Sequence, residues 1–399
     1  MITAKDAFTA IMSRSLSKNV ETVLLSEALG RTLAQDVFAD IDQPPFNRVA
    51  MDGIAINSSL LKETTTFKIL KTVAAGAASP ALPSGPVCYE IMTGAVLPSG
   101  SDMVIRYEDI KIEDGVAHVV TSFDKLSRNY HEQGSDYKKG DKVLSPGIRI
   151  KSTTTAILAS VGCTEVKVLA LPRVAILSTG DELVDIHQIP APEQIRWSNG
   201  ISLRQELISF GFTDVSFQKL RDDEDEIRKT LQEKLETSDV VLLSGGVSAG
   251  KFDFVPKLLK ECGVKEVFHK VSQRPGKPLW FGETSRGTLV FGLPGNPVSC
   301  LVNLRKYVVP FLLNNGTGKS YLPTATLSEE VKFNKNLTYY CLVKVQHEDG
   351  KLMATPIKGN GSGDFYQLRD SDGFIELRPE EAPFISGHQG QVYLWGLNG

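Results

Sequence analysis

Arg173-Val174-Ala175-Ile176-Leu177-Ser178-Thr179-Gly180-Asp181-Glu182-Leu183 passes from an unbroken apolar run into a hydroxyl pair, a glycine and two adjacent carboxylates. A short run that is apolar at every position is what a parallel strand buried on both faces requires. Val240-Val241-Leu242-Leu243 repeats the pattern, Leu289-Val290-Phe291 repeats it again, and Val215-Ser216-Phe217 is a weaker candidate. Helical segments separate them: about 198–210, a charged amphipathic stretch from Asp223 to Leu235, and one that begins after Pro297 and reaches about Leu313. Strands alternating with helices predict a doubly wound α/β sheet over 172–316, with Leu171-Pro172 as its leading boundary.

Outward from this block the texture changes twice. The first stretch, to about Asp36, reads as helical, with Ile2, Ala7, Ile11 and Leu16 near helical spacing and Ser26 to Gly30 as a turn closing on a glycine C-cap. From Asp40 to Gly147, short β-rich runs (Phe67–Leu70, Met103–Ile105, Val116–Val120) alternate with clusters such as Ser79-Pro80-Ala81-Leu82-Pro83-Ser84-Gly85-Pro86. That predicts a β-rich region with many turns. After Asn314-Asn315-Gly316-Thr317-Gly318, a flexible linker by composition, the tail reads as a small all-β domain. No internal repeat is evident.

Composition narrows the class. At 399 residues the chain is too long for one ordinary core. Hydrophobic residues make up 41% and charged residues 23%, the balance of a soluble globular protein. A net charge of -3 gives no electrostatic argument for a nucleic-acid partner. Met1 to Phe8 carries an early Asp6 and no apolar core, so it does not read as a signal peptide, and no apolar run nears the roughly 20 residues that span a bilayer. A cytoplasmic protein with no membrane partner is expected. The five cysteines (Cys88, Cys163, Cys262, Cys300, Cys341) are odd in number and scattered, which fits reduced, buried thiols. The six histidines show no ligand spacing, so no protein-borne metal cluster is expected.

In open α/β sheets ligands lie at the carboxyl ends of the strands, and four glycine-bearing polar segments fall there. Ser178-Thr179-Gly180-Asp181-Glu182-Leu183 also reads as a helix cap with acids in its first turn. Ser244-Gly245-Gly246-Val247-Ser248-Ala249-Gly250-Lys251-Phe252-Asp253 lets the backbone approach an anion, with Ser248 and N–H groups as phosphate ligands. Its spacing is neither a Walker A loop nor a dinucleotide fingerprint. Arg274-Pro275-Gly276-Lys277-Pro278 sets two cations around a rigid turn, either an anion clamp or a solvated surface turn. In Gly292-Leu293-Pro294-Gly295-Asn296-Pro297-Val298-Ser299, Asn296 is an N-cap candidate and Pro297 sits at N1, so a helix start presents free N–H groups. Taken singly each has a purely structural reading. Together they point to a phosphate-bearing ligand. By composition, Pro44 to Gly53 and Ile91 to Ala95 are simply turns.

In order along the chain, Ala50-Met51-Asp52-Gly53, Met92-Thr93-Gly94-Ala95, Ser178 to Leu183, Ser198-Asn199, Ser244 to Ser248, Pro275-Gly276-Lys277-Pro278 and Gly292 to Ser299 resemble the MoeA family, which includes proteins with a gephyrin E-type domain. The resemblance implies a multidomain fold of α/β plus β-rich parts. These are a discontinuous linking domain (1–46 and 140–171), a β-rich lobe (47–139), a MogA-like doubly wound α/β domain (172–316) and a C-terminal β-barrel-like domain (321–399). It implies a molybdopterin molybdenumtransferase, which inserts molybdate into adenylylated molybdopterin and releases AMP. A homodimer sharing its cleft between subunits is implied as well, as are a MogA-type adenylyltransferase and molybdoenzyme acceptors as partners. Asp52, Thr93, Asp181, Glu182 and Lys277 then take catalytic positions. Ser178, Thr179, Gly180, Ser244, Gly245, Gly246, Ser248, Arg274, Pro294, Gly295, Asn296, Pro297 and Ser299 bind the pterin nucleotide and the oxyanion. Mg²⁺ falls to Glu182, Asp222 and Asp253.

Two departures stand out. Asn47-Arg48-Val49 replaces the family's Asp-Asn-Ser, so a role for that acid does not carry over. Tyr340-Cys341-Leu342-Val343-Lys344 lacks the arginine common in the strand before Gly361-Ser362-Gly363, which weakens a C-terminal contribution to the site. A MogA-like adenylyltransferase is disfavoured, because its Thr-Gly-Gly-Thr-Gly loop is here Ser244-Gly245-Gly246-Val247-Ser248. A non-catalytic scaffold and a tungstate-selective paralogue remain as alternatives.

Overall fold

The apolar runs are strands, and their alternation sets the layering. The computed structural model describes every residue except 18, 247–254, 317–321, 360, 362 and 397–399. Six strands form one sheet in the order Val215–Leu220, Val174–Thr179, Val240–Ser244, Leu289–Leu293, Trp280–Thr284, Val264–His269. The first four are mutually parallel, and Trp280–Thr284 runs antiparallel to both neighbours. Val174, Ile176, Val240, Leu242, Leu289 and Phe291 share a core with helix Asn199–Ser209 and the helical run from Pro297. Ala175, Leu177, Val241, Leu243 and Val290 point the other way, onto Glu224–Thr237 and Val255–Glu261. Successive side chains on a strand face opposite sides, so strands apolar at every position need a helical layer on each face. The doubly wound expectation holds.

Strand order reverses beside Val174–Thr179. The chain leaves it for Val215–Leu220 on one side and returns to Val240–Ser244 on the other, which opens a crevice beyond their carboxyl ends. Three further strands had no sequence signal: Val264–His269, Val271–Arg274 and Trp280–Thr284. Val264–His269 is an edge strand, where charges such as Lys265 and Glu266 are tolerated, so its pattern is broken.

By internal contacts the described chain divides into two compact units, residues 1–22, 30–32 and 167–399, and residues 23–29 and 33–166. In the first unit the α/β layer is joined by a closed sheet. Thr338–Glu348 pairs with Lys351–Pro356 and with Gly373–Leu377, and Thr324–Leu327 and Gln389–Leu394 complete the ring. Ala325, Leu327, Cys341, Val343, Ala354, Ile375 and Val392 fill its interior. This is the barrel-like C-terminal element that was expected, with a short helix, Phe365–Asp370, added. The strand Val271–Arg274 pairs in parallel with both Ile2–Thr3 and residues 338–339.

Two expectations are corrected. The N-terminal helix covers only Ala4–Met12, and the chain continues into a strand, Val20–Leu24, and a 3-10 turn, Leu25–Glu27. Ser13 ends the helix, its hydroxyl donating to the Ala10 carbonyl, and the β-branched Val20, Thr22 and Val23 favour the strand. The helix from Pro297 outruns Leu313: Pro297–Asn303 continues through a π-turn, Leu304–Val308, into Val309–Gly316. The rest of the expected linker lies outside the described residues.

The second unit is built on a six-stranded sheet ordered Met103–Arg106, Gly53–Ile56, Val87–Ile91, Thr66–Val73, Val116–Val119, Ile110–Glu113. Ala55, Tyr89, Ile91 and Val104 pack on one face; Ile54, Ile56, Cys88, Met103 and Ile105 pack on the other. The β-rich expectation holds.

Candidate active site

The crevice at the reversal point collects segments that sequence had only placed at strand ends. Thr179 leads into Gly180 on one strand and Ser244 into Gly245 on its neighbour. Gly245 has φ +96, and a Cβ there would lie 2.6 Å from the Thr179 carbonyl oxygen, so only glycine fits. Its N–H donates to the Leu293 carbonyl at 3.3 Å, which draws in the third strand end. Asn199, at the start of its helix, ties the group together: its Nδ2 donates to Ser244 Oγ at 3.1 Å and to the Gly295 carbonyl at 2.7 Å. Beneath, the Cys300 thiol donates to Ser244 Oγ at 3.6 Å, and burial pushes that thiol up to about 12, so it packs as a neutral group.

Two cavities open from these loops. One, of about 560 Å³, is lined by Ser178, Thr179, Pro190, Ile195, Trp197, Asn199, Ser244 and Phe365 among others. Trp197 stacks on Phe217 with centroids 5.3 Å apart. Four polar atoms here, Ser178 Oγ, Thr179 Oγ1, Asn199 Oδ1 and Trp197 Nε1, are buried without a hydrogen-bond partner. Leaving such an atom unpaired costs about 1–3 kcal/mol, so four at one apolar-walled slot mark a place for a ligand's polar edge. The second cavity, of about 670 Å³, is lined by Gly180, Glu182, Asp222, Gly246, Arg274, Lys277, Pro294, Asn296, Ser299 and Lys335. Thr179, Glu182, Gly245, Gly295 and Asn296 line both. Asn296 takes the N-cap position with Pro297 at N1, but its side chain makes no capping bond, so the expected cap is one of backbone position only. The helix start still directs positive partial charge toward the cavity rim.

The carboxylates group less tightly. Asp181 Oδ1 accepts the Asp222 N–H at 3.1 Å. Glu182 folds back over Gly180, where a Cβ would stand 2.5 Å from Oε2. Among the described residues no set of three or more His, Cys, Asp or Glu side chains is placed to hold a metal ion. Ser248 and Asp253 lie outside the described residues.

Asp52 and Thr93 belong to the other unit and meet there. Asp52 Oδ1 accepts the Thr93 N–H at 2.6 Å and its hydroxyl at 2.7 Å, and these bonds, the N–H first, hold its carboxyl below the usual range. Composition alone reads both segments as turns; the pairing depends on positions 41 apart in sequence coming round side by side. Asn199, Trp197 and Lys335 were not assigned roles from sequence. Asn199 had stood in a quoted segment, whereas nothing distinguished Trp197 or Lys335 before folding.

Residues 2–162 match the MoeA N-terminal region (domain I and II), 175–314 a probable molybdopterin binding domain, and 324–395 the MoeA C-terminal region (domain IV). The chain belongs to the MoeA family. A molybdopterin molybdenumtransferase of Synechocystis is 38% identical over 378 residues, covering 94% of this chain and 95% of that protein. One of Bacillus subtilis is 32% identical over 388 residues, covering 94% and 89%. A crystal structure of a molybdopterin biosynthesis MoeA protein from Pyrococcus horikoshii superposes with a TM-score of 0.80 at 30% identity, covering 99% of each chain. The MoeA fold, with its α/β, β-rich and barrel-like parts, is therefore that of this chain. No helix among the described residues is long and apolar enough to cross a membrane.

Proposed function

We propose that this MoeA-family chain is a molybdopterin molybdenumtransferase, which takes adenylylated molybdopterin and molybdate and releases AMP as the metal binds the dithiolene. The observation that carries the reading is the pair of adjoining cavities, one apolar with four unpartnered polar atoms, the other rimmed by Arg274, Lys277 and Lys335. A flat heterocycle suits the first through Trp197 and the hydroxyls of Ser178 and Thr179. A pyrophosphate suits the loops Gly180, Ser244 to Gly246 and Pro294 to Pro297, where N–H groups and a helix start meet anionic oxygens. Molybdate, a second oxyanion, suits Arg274, Lys277 and Ser299.

Cleaving the pyrophosphate bond leaves negative charge on AMP, and Lys277 with Arg274 stabilises that charge more than it stabilises the bound reactant. Mg²⁺ takes one or two carboxylates plus phosphate oxygens, a demand that Glu182 and Asp222 on one cavity fit; when bound there it neutralises the pyrophosphate. Asp181 orients Asp222 through its backbone N–H. In this reading the chain is a cytoplasmic homodimer of four-domain subunits, each partitioned as the resemblance implies. Asp52 and Thr93 of one copy act on the cleft of the other, and a MogA-type enzyme supplies substrate for delivery to molybdoenzymes.

The deciding assay follows AMP release from adenylylated molybdopterin with molybdate or tungstate, with and without Mg²⁺. Wild-type release that depends on the oxyanion is expected, with losses of about 100-fold in Lys277→Ala and Asp52→Ala, the scale of removing one charge-stabilising group. Normal turnover in both variants would sink the site. A monomer at micromolar concentration by analytical ultracentrifugation would remove the shared cleft.

A further inference from the structure

The cationic turn is gripped from behind by a polar network that the proposed chemistry does not use. Gln273, just before Arg274, is 1% exposed; Asn303 and Tyr307 on the helical run behind it are 0%, and Tyr340 on the barrel is 1%. Gln273 Nε2 donates to Asn303 Oδ1 at 2.7 Å and to the Pro275 carbonyl at 3.1 Å. Asn303 Nδ2 donates to the Gly276 carbonyl at 3.1 Å. The Tyr307 hydroxyl donates to Gln273 Oε1 and lies 3.4 Å from that of Tyr340. A Cβ on Gly276 would stand 2.7 Å from the Asn303 amide, so that amide occupies the space a side chain would take.

Buried amides are a poor means of filling a core, since apolar groups of the same shape do as well or better. What these two amides reach that apolar groups cannot is a pair of carbonyls, and both belong to the turn between Arg274 and Lys277. The two cations are themselves exposed, and long side chains hold an anion well only when their backbone is fixed. We infer that Asn303 and Gln273 are positioning residues that set Arg274 and Lys277 in the oxyanion cavity, with Tyr307 and Tyr340 joining that placement to the C-terminal barrel.

The inference rests on the turn being an oxyanion clamp, so one readout avoids the ligand. Amide exchange over 274–278 and calorimetric molybdate binding are measured in wild type, Asn303→Leu, Gln273→Met, Lys277→Ala and Asn303→Leu/Lys277→Ala. In Asn303→Leu, exchange in the turn is expected to rise while strand 174–179 stays protected, and molybdate affinity to fall about tenfold. In the Lys277→Ala background that further loss is smaller, because only Arg274 is left for the turn to place. Gln273→Met gives the same pattern should Asn303→Leu fail to fold. Unchanged exchange, or an affinity loss that adds in full to that of Lys277→Ala, overturns the inference. If wild type binds no molybdate, the clamp reading fails and the exchange result alone decides the positioning role: faster exchange supports it, unchanged exchange overturns it.

Discussion

Single residues carry the site through close approach and through polar atoms without protein partners. Gly245→Ala forces a Cβ to within 2.6 Å of the Thr179 carbonyl at φ +96. The strain is about 1–3 kcal/mol, so a lower melting temperature and at least a tenfold loss in kcat/KM for AMP release are expected; full activity would refute the close-packed crevice. Asp52 gives a pH signature. Its depressed pKa keeps the carboxylate charged to lower pH than usual. Thr93→Val removes the hydroxyl bond but not the N–H bond, so the acid limb of the kcat/KM profile moves to higher pH while the alkaline limb stays. An unmoved acid limb would separate Asp52 from the rate. Sequence showed Ser178 to Gly180, Gly245 and Gly295 because glycine and hydroxyl clusters after apolar runs are local signals. It hid Trp197, Asn303 and Lys335, whose significance is a neighbour brought in from elsewhere: 27 residues separate Asn303 from the turn it holds.

At the scale of elements, legibility followed burial. Strands apolar on both faces, Val174–Thr179 and Val240–Ser244, stood out, while Val264–His269 and Val271–Arg274 did not, because charge at an edge and a short span erase the pattern. The N-terminal helix was overextended for the opposite reason: spacing at Ile2, Ala7, Ile11 and Leu16 outlasts the helix, which Ser13 stops. What that helix does is fixed by tertiary packing. Ala4, Ala7 and Ile11 are buried in the α/β core. Ile11→Ala is expected to destabilise by about 2–5 kcal/mol, read as a lower denaturant midpoint with unchanged slope. A change within half a kcal/mol would mean the helix is not part of that cooperative core.

For the whole molecule, the residues of the tail read as all-β and its barrel-like closure followed from the family resemblance, but its fastening to the α/β layer was not legible. That fastening is partly ionic: Lys306 Nζ, on the π-turn, bonds Glu376 at 2.8 Å and the Tyr393 hydroxyl at 2.7 Å, all within the interior. Burial pushes the Glu376 carboxyl up, but Lys306 and Arg378 outweigh it and hold it below the usual range. A depressed carboxylate stabilises fully above its unfolded pKa and loses that contribution as pH falls through the folded value. Glu376→Leu, which strands Lys306, should cost about 3–5 kcal/mol, and adding Lys306→Met should restore most of it. Chemical denaturation of both variants tests this, and a double variant no more stable than the single would disprove the pairing. The pairing of Ile2–Thr3 with Val271–Arg274 bears on synthesis. The residues flanking the cationic turn leave the ribosome about 270 positions after their partners, on the order of ten seconds or more later at cellular translation rates. In that interval the sheet of residues 53–119 has everything it needs to fold, while the start of the chain waits without its strand. Nascent chains stalled before residue 271 should therefore yield a protease-resistant β-rich fragment and a degradable N-terminal segment, and the cavity lined by Arg274, Lys277 and Lys335 can assemble only near the end of translation.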